Sequence, residues 1–188
     1  MSVLRGLWRL YALARYQLRG MLPPRRRDFR DCGTGVFVHH HVKFANCREI
    51  SLGADIYIGP HCRLFGHGGI RIGHGTVLGE GVTLIASNHQ FEGPALSQTP
   101  FDDGVSKSGI EIQHGAWVGQ NALILPGVRL APHSVIAAGS VVSRDTEAYG
   151  IYAGVPARLV RFRQIPEDMD LEELPRWAAS KPRRFTLY

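Results

Sequence analysis

The sequence predicts an all-β solenoid, a parallel β-helix whose coils are each built from three six-residue units. Three observations predict it. Aliphatic residues recur every six positions: Leu52, Ile58 and Leu64, then Ile72, Leu78 and Leu84, then an unbroken run of Ile112, Val118, Ile124, Leu130, Ile136 and Val142. Glycine follows the aliphatic residue at Gly53, Gly59, Gly73, Gly79 and Gly119, where it is expected to tolerate turn geometry that a side chain would resist. Small residues stand two positions before it at Ala116, Ala122, Ser134 and Ser140. Neither the helical period of 3.6 nor the strand period of 2 accounts for this spacing. Stacked coils do, because each buries an apolar column that no coil could bury alone.

The elements follow in order. Residues 1–30 read as a basic amphipathic helical segment, with Arg5, Arg9, Arg15 and Arg19 interrupting every apolar run and Pro23 and Pro24 ending it. It is too interrupted to span a membrane and lacks the apolar stretch and cleavage site of a signal peptide. Two readings stand: a helix packed on the solenoid or on a neighbouring subunit, or a basic helix on an anionic membrane surface. The β-helix domain is expected over 31–163, with coil starts at Ile50–Leu52, Ile70–Ile72 and Ile110–Ile112. The first two starts lie 20 residues apart and the next two 40, against 18 for three ideal hexads. The excess is a loop over 88–109, marked by Gly93, Pro94, Pro100, Asp102, Asp103 and Gly104. Loops this long in a regular solenoid are usually functional or disordered. Residues 164–188 form a tail, acidic and then basic, with no functional reading.

At 188 residues the chain has room for one domain with appendages. Residues 1–30 carry net +7, so the +6 of the whole chain resides there and the repeat is near neutral. The Arg25-Arg26-Arg27 run is accompanied by no nucleic-acid module, so nucleic acid is not an expected partner. Three cysteines, Cys32, Cys47 and Cys62, without a C-x-x-C pair, argue against a disulfide framework and fit a reducing, cytoplasmic compartment. Cys47 and Cys62 read as core or turn residues. In His39-His40-His41, strand alternation would let at most two side chains converge, so no metal is expected there. His61, His67, His74, His114 and His133 fall at turns and read as surface groups.

Four motifs are specific in combination: Trp117-Val118-Gly119, Leu125-Pro126-Gly127-Val128, Ala138-Gly139-Ser140-Val141-Val142, and Gly154-Val155-Pro156-Ala157-Arg158. From about Ala54 to Arg163 the chain resembles the hexapeptide-repeat acetyltransferases, in the branch of maltose and galactoside O-acetyltransferases and of surface-polysaccharide O-acetyltransferases. The resemblance implies a left-handed parallel β-helix. It also implies a homotrimer with acetyl-coenzyme A between subunits, and no required metal. Ser143-Arg144 stands where the family often has Thr-Lys.

By that resemblance His89 matches the catalytic position. Acyl transfer to a hydroxyl needs a base, and imidazole titrates near working pH. Glu111 and Asp102 are weak candidates to orient it, and His114 is a minor alternative base. Asn88, Phe91 and Gln98 are candidates to contact the acceptor, with Thr99 and Phe101 in the same loop. The resemblance places the donor along Trp117, Gly119, Ala137 and Ala138, with Ser143, Arg144 and Arg158 toward its phosphates and Arg161 or Lys107 as weaker candidates. The implied activity is acetyl transfer to a saccharide hydroxyl in bacterial surface-polysaccharide assembly, at the inner face of the cytoplasmic membrane if the basic helix docks there. The alternatives are an N-acyltransferase of an amino sugar, an antibiotic acetyltransferase, and a non-catalytic β-helix scaffold.

Overall fold

The computed structural model describes residues 24–90, 104–164 and 186–187. The chain winds as a parallel solenoid of about five turns, triangular in section, with three sheets as its faces. Face A stacks Asp31–Cys32, Ile50–Leu52, Ile70–Ile72, Ile110–Ile112 and Arg129–Leu130. Face B stacks Phe37–Val38, Tyr57–Ile58, Val77–Leu78, Trp117–Val118, Val135–Ile136 and Gly150–Gly154. Face C stacks Lys43–Ala45, Arg63–Phe65, Thr83–Ile85, Leu123–Ile124 and Val141–Val142.

The hexad positions are the core. Leu52, Ile72, Ile112 and Leu130 stand in register along face A. Val38, Ile58, Leu78, Val118 and Ile136 do so along face B. Phe44, Leu64, Leu84, Ile124 and Val142 do so along face C. Nearly all are fully buried. Burying one such side chain stabilises by about 1.5–3 kcal/mol, so the three columns are the main apolar term. Ala116, Ala122, Ser134 and Ser140 are buried inside the corners, as their size predicts.

The glycines after the core positions serve a purpose other than the turn freedom expected of them. Gly53, Gly59, Gly73, Gly79 and Gly119 are not among the residues with positive φ. A Cβ at Gly119 would lie 2.7 Å from the Ala138 nitrogen, and one at Gly73 2.6 Å from the His114 nitrogen, both in the next coil. Glycine is there to let coils approach. The left-handed residues come two positions later, at Asp55, His61, Gly75, Gly81, Gly115, Asn121 and Gly139.

The extra residues of the long coils gather at one corner. Steps from face A to B and from B to C are six residues, as in Leu52, Ile58, Leu64. Steps from C back to A are eight in the early coils, as in Leu64 to Ile72, and 28 from Leu84 to Ile112. The segment expected as a loop from residue 88 begins as a ribbon. Ser87–His89 pairs antiparallel with Val105–Lys107, and the Gln90 N–H donates to the Gly104 carbonyl at 3.0 Å. The base is stitched to both neighbouring coils: Ser108 N–H donates to Ala86 O, and Gly127 N–H to Ser108 O, each at 3.0 Å. The ribbon's tip, most of residues 1–30 and most of the tail lie outside the described residues. Residues Arg26–Asp28 form one 3-10 turn, and Thr186–Leu187 adds a parallel strand to Phe37–Val38 at the first coil.

A test of the columns follows. Leu84 is buried between Leu64 and Ile124. Leu84→Ala is expected to cost about 2–5 kcal/mol in chemical denaturation. The exposed Arg71→Ala on face A should stay within about 0.5 kcal/mol.

Candidate functional site

The ribbon raises His89 clear of the solenoid at the C/A corner, where the side chain is exposed. Its register decides which side chains accompany it. Ser87 faces Lys107, Asn88 faces Ser106, and His89 faces Val105. Residues two apart share a face of a strand, so His89, Ser87, Val105 and Lys107 lie on one side. Asn88 and Ser106 lie on the other. Asn88, a candidate to contact the acceptor, is turned by that alternation to the side away from His89. Phe91, Gln98, Thr99, Phe101 and Asp102 lie outside the described residues. Glu111 sits on face A, outside the ribbon, with Arg71 and Arg129 as register neighbours.

The residues assigned to the donor divide between two corners. Trp117 stands on face B, 55% exposed. Gly119, Ala137 and Ala138 follow at the B/C corner, with Gly119 directly beneath the Ala137–Ala138 peptide. The Ala137 N–H donates to the Tyr152 carbonyl at 2.8 Å. The neighbouring Ala138 is exposed, and its N–H donates to no carbonyl among the described residues. Arg158 lies on Ala157–Phe162, the strand that folds back antiparallel on Gly150–Gly154. That hairpin is tied to the same corner, because the Gly154 N–H donates to the Ser140 hydroxyl at 3.1 Å. Ser143 and Arg144, both exposed, follow Val142 at the other corner, C/A. They stand two coils along the axis from the ribbon, about 10 Å at ordinary strand spacing. Six residues of chain separate the corners within a coil, roughly 15–20 Å. A single copy therefore presents Trp117, Gly119, Ala138 and Arg158 on one edge and His89, Ser143 and Arg144 on another.

The three faces differ outwardly. Face B presents Phe37, Tyr57, Val77, Trp117, Val135 and Ile151 in register, an apolar stripe along the solenoid. Face A presents Asp31, Ser51, Arg71, Glu111 and Arg129, of mixed sign. Face C presents Lys43, Arg63, Thr83, Leu123 and Val141. His39, His40 and His41 follow the short strand Phe37–Val38 and lie in a turn, so strand alternation does not separate them. The rings of His41 and His61 stack at 5.2 Å, and those of His39 and His40 lie 4.1 Å apart. No group of three or more His, Cys, Asp or Glu among the described residues is arranged to hold a metal ion. Cys62 is buried, its thiol pushed up to about 11 by that burial, and it belongs to the core.

A triangular parallel solenoid with a paired ribbon at one corner defines a class of repeat proteins, and its relatives narrow it. No protein-family model matches the chain. Among curated proteins it is 28% identical over 152 residues to a probable macrolide acetyltransferase of Lysinibacillus sphaericus, covering 71% of this chain and 70% of that one. It is 28% identical over 133 residues to the galactoside O-acetyltransferase of Escherichia coli, covering 71% of this chain and 64% of that one. Among solved structures, a hexapeptide-repeat acetyltransferase of Vibrio cholerae complexed with acetyl-coenzyme A superposes with a TM-score of 0.68 at 24% identity, covering 74% of each chain. An N-acyltransferase of Bacillus cereus superposes with a TM-score of 0.62 at 20% identity, covering 74% of this chain and 86% of that one. The fold is the left-handed parallel β-helix. In sequence and fold the chain is similar to the hexapeptide-repeat acetyltransferases.

His133 departs from the surface role expected of it. It is buried, with the imidazole of His114 and the ring of Tyr149 each 5.0 Å away. Gly115 beneath it has no Cβ, which would collide with the His133 ring. Arg163 donates to the His133 carbonyl at 3.2 Å. Burial first, then the His114 and Arg163 charges, lowers the His133 pKa. A histidine whose folded pKa is depressed stabilises the neutral-pH fold, and that contribution is lost as pH falls below the unfolded value of about 6.5. The melting temperature should therefore drop between pH 7.5 and 5. His133→Asn keeps a residue that tolerates the left-handed backbone there (φ +57°) and should flatten that drop.

Proposed function

We propose that this protein is an acetyl-coenzyme A-dependent O-acetyltransferase that acetylates a saccharide hydroxyl with His89 as general base. The observation that carries the reading is the placement of His89, on a hydrogen-bonded ribbon at the corner where the coil admits its insertions. A base must be exposed to reach substrate and held by paired backbone to keep its geometry. The ribbon supplies both. His89 takes the proton of the acceptor hydroxyl as its oxygen attacks the thioester carbonyl. When the carbon–sulfur bond breaks, the imidazolium returns that proton to the departing thiolate. The products are an acetyl ester and coenzyme A.

The residues present fit the donor. The N–H of the exposed Ala138, which donates to no carbonyl among the described residues, suits an amide carbonyl of the pantetheine arm, and Arg158, Arg144 and Ser143 suit its phosphates. Because these groups occupy two corners of one copy, the reading includes a homotrimer, with the B/C corner of one copy facing the C/A corner of the next. The apolar outward stripe of face B supports such an assembly, since stripes of this kind mark interfaces. We place the acceptor in bacterial surface-polysaccharide assembly. The enzyme would work on the cytoplasmic side, and at the membrane surface if residues 1–30 dock there. Among the described residues no helix is long and apolar enough to cross a membrane.

His89→Ala should lower turnover by about 10²–10⁴-fold while calorimetry finds coenzyme A affinity unchanged. Arg158→Ala should do the reverse, weakening coenzyme A, and less so its dephospho form. Near-full activity of His89→Ala removes the proposed base, and an alkali-stable product would make the acceptor an amine. Mixing unfolded His89→Ala and Arg158→Ala chains and refolding them together should restore part of the activity. Mixed trimers of that kind contain some sites with both residues intact. No restoration would place each site within a single copy.

A further inference from the structure

Face C carries a cationic surface that the fold does not need. Lys43 and Arg63 are register partners on adjacent strands, both exposed. Like charges directly opposite one another are destabilising. The nearby Glu80, which acts on Cys62 beside Arg63, stands at the B/C corner and not on the face. The outward and flanking positions of face C, over 42–46, 62–66, 82–86, 122–126 and 140–144, contain no Asp or Glu. Neither Lys43 nor Arg63 pairs with a carboxylate among the described residues. Face A shows what neutral upkeep looks like in the same solenoid: Arg71 and Glu111 are in register, and Arg129 lies 3.9 Å from Asp145. Retained repulsion on one face, against interleaved charge on another, points to a ligand that supplies the missing negative charge.

The ribbon brings a third cation to the same region. It springs from the end of Thr83–Ile85, the strand that pairs with Arg63–Phe65, which in turn pairs with Lys43–Ala45. Lys107 shares the side of the ribbon that carries His89, by the register already described. It is exposed and has no carboxylate partner among the described residues. A substrate whose hydroxyl meets His89 thus lies beside the Lys107 ammonium. If it extends toward the first coils along face C, it passes Thr83, Arg63 and Lys43, at about 5 Å per strand.

We infer that the acceptor is an acidic saccharide, carrying a carboxylate or phosphate that Lys107 holds near His89 and further negative charge along Arg63 and Lys43. The inference rests on the acetyltransferase reading and names its substrate class. Lys107 is then a specificity-determining residue, and its donor-phosphate role, raised from the sequence, is the competing outcome.

The test compares matched acceptors, galactose against galacturonic acid and glucose against glucose 6-phosphate, so that carboxylate and phosphate are separate arms. It also measures retention of His89→Ala protein on an array of longer neutral and acidic glycans. Acidic members should be favoured at least tenfold in kcat/KM or in retention, and less so at high salt. Lys107→Met should erase most of that preference through KM, and Lys107→Arg should keep it. Arg63→Met with Lys43→Met should weaken retention of the longer acidic glycans. Equal treatment of neutral and acidic glycans overturns the inference. So does a Lys107→Met variant that keeps the preference, or one that loses coenzyme A affinity instead. Calorimetry with coenzyme A runs alongside. Absent donor binding with intact acidic-glycan retention would sink the enzyme reading and leave the binding face standing.

Discussion

Everything in this molecule depends on the vertical stacking of aliphatic side chains in three columns. Each coil contributes one residue to each column, and the hydrogen-bonded ladders of the faces hold successive coils about 4.8 Å apart. A side chain such as Leu84 is dry only because Leu64 and Ile124 lie directly below and above it. The constraint is strict along the faces, because a one-residue slip would turn the core residue outward. It is relaxed at the corners, where chain length can change without moving a column. The solenoid uses one corner for nearly all such change, two residues per early coil and then the ribbon. Function can accumulate at the C/A corner because the columns tolerate insertions there.

The same constraint explains why the proposed site is divided. Outward positions on a face are spaced by the ladder and cannot converge, so a solenoid makes no deep pocket from one face. Concave space arises between an edge of one solenoid and an edge of another. Trp117, Ala138 and Arg158 stand at one edge and His89 at a different one. The uninterrupted apolar stripe of face B supplies a reason for copies to meet, while faces A and C stay charged or mixed.

The columns were legible in the sequence because a six-residue period in aliphatic side chains has few other causes. Ile50–Leu52, Ile70–Ile72 and Ile110–Ile112 are strands where the spacing required coil starts. The hand was not legible from the period, since the same columns stack in either sense, and it came through family resemblance. The glycines were found for the wrong reason. Their spacing marks the end of each hexad, but only the adjacent coil reveals that a Cβ at Gly119 would meet the Ala138 backbone. His133 was misplaced on the same account. A histidine at a turn reads as exposed, and what buries it, Tyr149, His114 and the bare Gly115, comes from elsewhere in the stack. The orientation of Asn88 away from His89 depends on antiparallel pairing with Val105–Lys107, and that pairing leaves no periodic trace.

The ribbon and the C-terminal hairpin solve one problem in two places. A solenoid end or a long insertion exposes unpaired backbone, which must be satisfied or left to water. Val105–Lys107 satisfies Ser87–His89, and Ala157–Phe162 satisfies one edge of Gly150–Gly154. Both are antiparallel departures from an otherwise parallel fold, and each carries a residue assigned to chemistry, His89 on one and Arg158 on the other. Antiparallel pairs need only a short turn and are rigid without joining the stack. They are therefore the economical means of placing a side chain outside the columns while keeping its position fixed by them. The hydrogen bonds from Ser108 to Ala86 and from Gly154 to the Ser140 hydroxyl are where that position is handed over.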